Sequence, residues 1–458
     1  MSGLLEAAVV GLALIVFAGP ILVRLIRGRP GNEVADDYQP TVAVVTPMFN
    51  EGEGIRETIR SILAQDYPAE KLTLIVVDDC STDDSYQHAR AATRRCKRAT
   101  VLRNPVNLGK RRSINRAVRS TDAEIIVSVD SDVVIEPDAV RQLVRRFTSP
   151  RLAAVGGRVD ILNKRANWLT RMQAVKYYFG YQFLKSLERS FRSVLCLSGC
   201  LTAYRRSVLV ELEPTLEQRN ILGVPIKYGE DRFLTRQIIK AGYETTMTMA
   251  AVCRTLAPAT LDSYFAQQLR WRRSNLVDYF GGLSHVWKLH SVVAVHYYAA
   301  FALFLAYPAL LVQSLLTGTF WWLITAHMGV AGCMGVVYWF NTRGLPADQR
   351  VSGASFLPVA LVAPVSYAIL TPLALLTLDS GKWETRGHED SEADPQQPLS
   401  AATPKSAPTP AAISPRVALD PAPRAAIRPL VRRLRAQRLA ARAATATDKV
   451  VPLNRNAV

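Results

Sequence analysis

Five polar clusters in this chain have residue types and spacings that can do chemistry, and most of them close an apolar run. Val76-Val77-Asp78-Asp79-Cys80-Ser81-Thr82-Asp83 ends a β-branched stretch in two acids and a turn of Ser, Thr and Asp. A carboxylate at the carboxyl end of a strand can hydrogen-bond a base or a ribose; Asp at such a turn also caps helices. Asn107-Leu108-Gly109-Lys110-Arg111-Arg112 joins a glycine, which permits close approach, to cations that suit phosphate. Alone, such a loop is equally a solvated basic surface. Val129-Asp130-Ser131-Asp132 sets two carboxylates at spacing two on a turn. That pattern can hold a hard divalent ion, which can bridge a diphosphate, or it can cap a turn. Tyr228-Gly229-Glu230-Asp231-Arg232 opens a helix, and a carboxylate there can take a proton from an acceptor hydroxyl. In Gln267-Gln268-Leu269-Arg270-Trp271, Gln267, Arg270 and Trp271 fall at helical spacing. Arginine suits a phosphate, and an indole face suits a sugar ring.

The elements that must position these clusters can be read between them. Thr41–Thr46, Leu72–Asp78, Ala99–Arg103 and Glu124–Val129 are short β-branched runs separated by helical stretches. This alternation predicts an α/β domain with a mostly parallel sheet covered on both faces. Ligands of such sheets bind beyond the carboxyl ends of the strands, where the first three clusters lie. Asn167–Ser190 and Leu261–Phe280 are amphipathic, basic and aromatic-rich. Such helices suit a membrane interface, and core packing is the other reading.

The rest of the chain carries membrane signals. Leu4–Ile26 is apolar and long enough to cross a bilayer, and Arg24, Arg27 and Arg29 follow or end it. The positive-inside rule places the next domain in the cytoplasm. A cleaved signal peptide is disfavoured, because the charges flank the wrong end. Ser291–Phe340 reads as two spans broken near Thr317-Gly318, and Ala354–Leu378 is a third apolar stretch with Pro358, Pro364 and Pro372. Three spans there would put the C-terminus outside, whereas Lys382, Arg386 and the basic tail argue for inside. The prolines therefore predict that Ala354–Leu378 folds as a hairpin of two short elements. The formal net charge is +18 and the pI is near 9.8. Much of that excess is in the tail, with eight arginines between Arg416 and Arg442 against one acid, Asp420. The six cysteines are scattered, which predicts reduced thiols and no disulfide framework. From about His388 the composition is Pro-, Ala- and Ser-rich and reads as disordered.

In order and spacing, Thr46–Glu51, Val77–Asp83, Asn107–Lys110, Asp130–Asp132, Ser198–Arg206, Gly229–Asp231, Gln267–Trp271 and Lys382–Arg386 resemble the processive family 2 glycosyltransferases: hyaluronan, chitin, chitooligosaccharide and cellulose synthases. The resemblance covers roughly Thr41 to Arg386 and implies a GT-A type nucleotide-sugar fold. It implies that Asp79, with Asp78, binds uridine and that Lys110 lies near the nucleotide. Asp130 and Asp132 resemble the family's metal-binding acids, for Mg2+ or Mn2+. Asp231 resembles the general base, with Glu230 beside it at the substrate. Gln267, Arg270 and Trp271 would hold the pyrophosphate and the acceptor sugar. Cys200 stands in the acceptor segment where hyaluronan synthases commonly have proline. Trp383 and Arg386 lie in a segment like the family's gating loop, with Glu384 where that family usually has glycine.

The implied layout is an N-terminal transmembrane helix at 1–30 and a cytoplasmic catalytic domain with interfacial helices at 40–285. A membrane region at 288–380, a gating segment at 381–387 and a basic tail at 388–458 follow. The implied enzyme sits in the plasma membrane and meets three partners: a UDP-sugar donor, a growing polysaccharide and the lipid bilayer. No nucleic acid is expected. The Gln267–Trp271 cluster and the Tyr228–Gly242 stretch look closest to chitooligosaccharide and hyaluronan synthases, which implies UDP-N-acetylglucosamine as donor. The alternatives are transfer of one sugar to a lipid carrier, and a non-catalytic binding protein in which the acid clusters are accidental.

Overall fold

The structure is a computed structural model that describes residues 2–28, 33–217, 220–221, 224–226 and 228–378. The strands are β1 (Val42–Met48), β2 (Leu72–Asp78), β3 (Ala99–Arg103), β4 (Ile125–Val129), β5 (Val134–Ile135), β6 (Leu152–Ile161), β7 (Leu201–Arg205), β8 (Asn220–Ile221), β9 (Val224–Pro225) and β10 (Glu244–Thr255). The α-helices of the catalytic domain are α2 (Ile55–Leu63), α3 (Ser85–Thr93), α4 (Lys110–Arg119), α5 (Ala139–Val144), α8 (Arg206–Glu217) and α9 (Glu230–Lys240); α1 (Ser2–Arg27) precedes them. The remaining helices are α6 (Trp168–Tyr178), α7 (Lys185–Ser190), α10 (Leu261–Gly282), α11 (Ser291–Leu316), α12 (Phe320–Thr342) and α13 (Val359–Leu376).

Eight strands form one sheet in the order β3-β2-β1-β4-β7-β6-β10-β5. β1 and β4 are buried at every residue, as parallel strands covered on both faces must be. Val42 and Val44 of β1 face α2 and α5 through Ile55, Ile59 and Leu143. Ala43 and Val45 face α4, α8 and α9 through Val118, Leu209 and Ile238. The sheet is thus sandwiched between helices, as the alternation predicts. Its middle departs from the all-parallel pattern, because β7 runs antiparallel to both β4 and β6. That reversal matters for the site. Pairing Leu201 with Val129 brings the segment before β7, Ser198-Gly199-Cys200, back to the carboxyl end of β4.

Among the described residues, four helices are long and apolar enough to cross a membrane: Leu4–Arg27, Ser291–Leu316, Phe320–Thr342 and Val359–Leu376. Leu4, Leu25, Leu316, Trp321, Trp322 and Trp339 on them are exposed. Exposed apolar surface of this extent belongs against lipid, and the chain is a membrane protein. α1 lies antiparallel to α11. Val16 O meets His296 Nε2 at 3.2 Å, and Gln313 Nε2 donates to Glu6 Oε1 at 3.4 Å. α11 and α12 part at Gly318, whose φ of +72° suits glycine.

The hairpin expected in Ala354–Leu378 does not form. A short 3₁₀ turn, Gly353–Phe356, leads into one continuous helix, α13, with Pro364 and Pro372 inside it. The turn seats on α12 because Gly335 has no side chain: a Cβ there would lie 2.6 Å from Gly353 O. α13 then runs beside α10. Arg272 Nη1 donates to Thr371 Oγ1 at 2.6 Å, its guanidinium sits 3.8 Å from the Tyr367 ring centroid, and Arg273 Nε donates to Thr377 Oγ1 at 3.0 Å. Phe356 and Val359, at the start, pack with Phe179 and Tyr264. At the far end Tyr228 OH donates to Leu378 O at 2.7 Å. Both ends of α13 therefore meet the catalytic half of the molecule.

Candidate active site

The first two clusters prove to be one unit. Asp79 accepts from Leu108 N at 2.9 Å, Asn104 Nδ2 at 2.7 Å and Gly109 N at 2.7 Å. The acid at the end of β2 thus anchors the Asn107–Lys110 loop, whose Gly109 adopts φ +85°. Asp78 is fully buried, with Oδ1 accepting from Ser81 N at 3.3 Å and Arg103 Nε 3.1 Å from Oδ2. Burial raises its pKa, and Ser81 and Arg103 partly offset the rise. Both acids therefore face inward and shape the loop. The neighbouring loop from β1 is locked to them, since Asn50 N donates to Ser81 Oγ at 3.1 Å and Thr82 N to Asn50 Oδ1 at 2.9 Å. Asn50 and Cys80 hold positive φ of 47° and 61°, a strained arrangement of the kind that gathers at functional sites.

Lys110, at the start of α4, crosses the cleft to an ion pair with Asp130. Burial alone would lower the lysine pKa; Asp130, then Asp231 and Glu230, raise it above its usual value. The ammonium is thus charged and faces three acids from two elements. Asp132, two residues on, is exposed. Ser131 between them is buried, with its hydroxyl on Glu51 Oε2 at 3.1 Å and its carbonyl accepting from Thr58 Oγ1 at 2.7 Å. The turn that presents the two acids is fixed from behind.

The Ser198–Cys200 segment closes the cleft. Gly199 N donates to Asp231 Oδ2 at 3.3 Å. Cys200 packs beside Asp130 and Asp132; burial, then those two acids, push its thiol pKa well up and keep it protonated. Asp231 lies in the first turn of α9, entered through Gly229 in a left-handed conformation with φ +70°. Its Oδ1 accepts from Arg232 N at 2.9 Å.

Gln267, Arg270 and Trp271 project from α10 toward this edge through a residue not singled out by the sequence reading. Tyr177 of α6 is buried, its ring centroid 5.9 Å from Trp271 and 5.3 Å from Tyr181. Burial raises its pKa; Cys200 and Asp132 add to the rise, while Arg270 and a hydrogen bond with Gln267 oppose it. Tyr177 therefore joins the α10 trio to the acids of the sheet edge. Tyr181 lies in a π-helical turn, Phe179–Phe183, a distortion frequent at functional sites. The crowding of aromatics between Trp168 and Phe183 was the available signal; helical period alone did not say which rings face the cleft. Among the described residues, Gln267 Oε1 is buried without a hydrogen-bond partner.

Asp78, Asp79, Lys110, Asp130, Asp132, Cys200, Glu230, Asp231, Gln267, Arg270 and Trp271 thus gather around one edge of the sheet, with Tyr177 bridging the cleft. Trp383, Arg386 and the basic tail lie outside the described residues. Among the described residues no three His, Cys, Asp or Glu side chains form a metal cluster. The donor set on offer is a pair of carboxylates, which suits a hard ion whose other ligands are diphosphate oxygens and water.

A parallel-sheet α/β core with an acid turn, a basic loop and a carboxylate at a helix start around one cleft defines a nucleotide-sugar glycosyltransferase. The family model described as glycosyltransferase-like family 2 matches residues 40–274, and the chain belongs to that family. It is similar to an N-acetylglucosaminyltransferase of Azorhizobium caulinodans, at 33% identity over 76% of this chain and 87% of that one. It is also similar to a hyaluronan synthase of Streptococcus pyogenes, at 34% identity over 54% of this chain and 58% of that one. The fold resembles a mannosyltransferase of Pyrobaculum calidifontis solved with GDP-Man and Mn2+, with a TM-score of 0.55 and 21% identity over 80% of this chain and 99% of that one.

Proposed function

We propose that the chain is an inverting, processive membrane glycosyltransferase that polymerises a β-linked polysaccharide from UDP-N-acetylglucosamine. The observation that carries this reading is the convergence of Asp231, Lys110–Asp130 and the Gln267–Trp271 helix on one cleft beside the apolar helices. Similarity to an N-acetylglucosaminyltransferase and to a hyaluronan synthase supports the donor.

Asp231 is placed to accept the proton of an acceptor hydroxyl that attacks the anomeric carbon from the face opposite the diphosphate. A single displacement of this kind inverts the anomeric centre, so an α-linked donor yields a β-linkage. Lys110 and Arg270 stabilise the charge that develops on the departing diphosphate. The uridine end lies over the loop shaped by Asp78 and Asp79, where Asp79 Oδ2 accepts one bond among the described residues and has capacity for another. Trp271, buttressed by Tyr177 and Tyr181, offers its face to the acceptor sugar, with Cys200 and Glu230 at the rim. Asp132, with Asp130 beside it, would hold Mg2+ or Mn2+. Such an ion, when bound, neutralises diphosphate charge. Trp383 and Arg386 remain candidates for closing over the nucleotide.

The catalytic domain faces the cytoplasm of the plasma membrane. Arg24 and Arg27 end α1 on that side, Lys288 precedes α11 and Arg343 follows α12. α1, α11 and α12 cross, and α13 returns to the domain that it left, so the C-terminus is cytoplasmic without a hairpin. The deciding experiment incubates purified enzyme with labelled UDP-sugars, singly and in pairs, and sizes the product. Polymer from UDP-N-acetylglucosamine alone supports the proposal; a single-sugar lipid product would replace it with transfer to a lipid carrier. A reporter fused after Leu378 that reads as periplasmic would overturn the orientation.

A further inference from the structure

Asp231 and Trp271 stand on different helices, α9 and α10, and both must meet the same acceptor sugar. The two helices are joined away from the cleft by a buried carboxylate, Asp278 of α10. Its Oδ1 lies 3.6 Å from Arg236 Nη1, and its Oδ2 lies 3.9 Å from Arg232 Nη1. Arg232 and Arg236 are one turn apart on α9, and Arg232 directly follows Asp231. Trp271 and Asp278 are two turns apart on α10, so they share a face. The ion pairs thus connect the helix face that carries the indole to the turn that carries the carboxylate base.

Two glycines shape this joint. A Cβ on Gly281 would lie 1.6 Å from Arg236 Nη1, and one on Gly282 would lie 1.9 Å from Tyr297 OH. Through the first opening Arg236 Nη1 donates to Val277 O at 3.4 Å and Asp278 O at 3.3 Å. Through the second, Tyr297 OH of α11 donates to Tyr279 O at 2.8 Å, with Asp278 O at 3.1 Å. Asp278 is therefore gripped from α9 and from a membrane helix. Asp231 is held from another side. Gly199 N reaches its Oδ2, and Thr235 Oγ1 donates to Asp231 O at 2.7 Å while accepting from Leu197 N at 3.1 Å. Loosening Asp278 would therefore shift α10 and the sugar on Trp271 against a base that stays at the sheet edge.

We propose that Asp278 is a positioning residue: through Arg232 and Arg236 it sets the distance between the acceptor sugar on Trp271 and the base Asp231. This role rests on the transferase reading of the cleft, with Trp271 at the acceptor and Asp231 as base. It makes a residue outside the cleft a determinant of whether the donor meets a sugar hydroxyl or water.

The test incubates the full chain in detergent with labelled UDP-N-acetylglucosamine and counts sugar transferred to acceptor against free sugar. Free sugar forms when water replaces the acceptor hydroxyl, so that the donor yields N-acetylglucosamine and UDP. The ratio of the two does not depend on how much of a sample is folded. Asp278→Asn should lower transfer about 100-fold, the cost of about 1 Å of misplacement. UDP affinity should stay at the wild-type value, and the share of free sugar should rise. Asp278→Glu keeps the charge and has the reach to close the gaps to both arginines, so it should restore most of the wild-type ratio. Gly281→Ala leaves every charge in place and pushes aside the flexible end of Arg236. Its ratio should move in the same direction, which keeps the test decisive where Asp278→Asn folds poorly. A wild-type ratio in Asp278→Asn and Gly281→Ala, whatever their total activity, would overturn the proposal, as would an equal defect in Asp278→Glu. Sugar on a single-sugar lipid still counts as transferred, so failure of polymerisation and failure of this positioning role are read separately. A wild type that transfers no sugar would overturn both.

Discussion

A Cβ on Gly199 would lie 2.7 Å from Lys110 Nζ. The segment before β7 can thus reach Asp231 with its amide only because residue 199 has no side chain. Gly199→Ala must displace the ammonium from Asp130 or the amide from Asp231. Misplacement of about 1 Å in a catalytic set costs about 100-fold in rate. We therefore expect kcat to fall about 100-fold with little change in thermal stability, since Lys110 is a long side chain that can swing away. Steady-state kinetics beside a melting curve separates the two. Wild-type kcat in Gly199→Ala would show that the lysine can move without consequence.

Asp231→Asn keeps the shape of the first turn of α9 and removes the proton acceptor. General bases contribute about 10²–10⁴-fold, so transfer should drop by that factor. UDP affinity should change by less than about twofold, because Lys110 and Arg270 are untouched. Calorimetric titration of UDP together with product radiolabelling checks both halves. Normal turnover in the variant would assign the base elsewhere, with Glu230 the next carboxylate along.

Much of this arrangement is legible in the chain. The four β-branched runs become β1 to β4; β1 and β4, and nearly all of β2, are buried on both faces and so need continuous apolar residues, while β3 is a partly exposed edge strand. The acids at their ends reach the cleft for the same reason. What pattern could not tell is which contacts those acids make. Asp79 looks like a ligand for the nucleotide, and its oxygens also accept from the amides of Leu108 and Gly109; only the three-dimensional loop reveals that second task. The prolines of α13 mislead because Pro364 and Pro372 are tolerated within a helix that packs on α10 through Arg272. Nor does helical spacing single out Tyr177, since the run from Trp168 to Phe183 is aromatic on several sides and shifts register at the π-helical turn.

Tyr177 holds Trp271 at 5.9 Å between ring centroids. Such aromatic pairs contribute about 0.5–1.5 kcal/mol beyond area burial. Tyr177→Ala should therefore raise the acceptor KM about 3- to 10-fold and shorten the polymer, leaving the donor KM nearly unchanged. Tyr177→Phe keeps the ring and loses only the hydroxyl bond with Gln267, so its product should approach wild-type length. Product sizing on gels with initial rates at varied acceptor tests the pair. Equal defects in both variants would place the hydroxyl, not the ring, in control.

Lys176, one residue before Tyr177, is half-buried against α10 and donates to Gln268 Oε1 and, at 3.2 Å, to Tyr264 OH. Burial, then Arg272, lowers its pKa to about 7. An unfolded lysine titrates at about 10.4. Between pH 7 and about 10 the unfolded chain therefore binds more protons than the folded one, and stability rises with pH across that window. Lys176→Met removes this contribution. Its melting temperature should be higher than wild type at pH 7, and the difference should shrink as pH rises toward 9. Melting curves from pH 6.5 to 9 in one detergent measure it. Parallel curves for the two proteins would mean that the ammonium stays charged in the folded state, compensated by Gln268 and Tyr264.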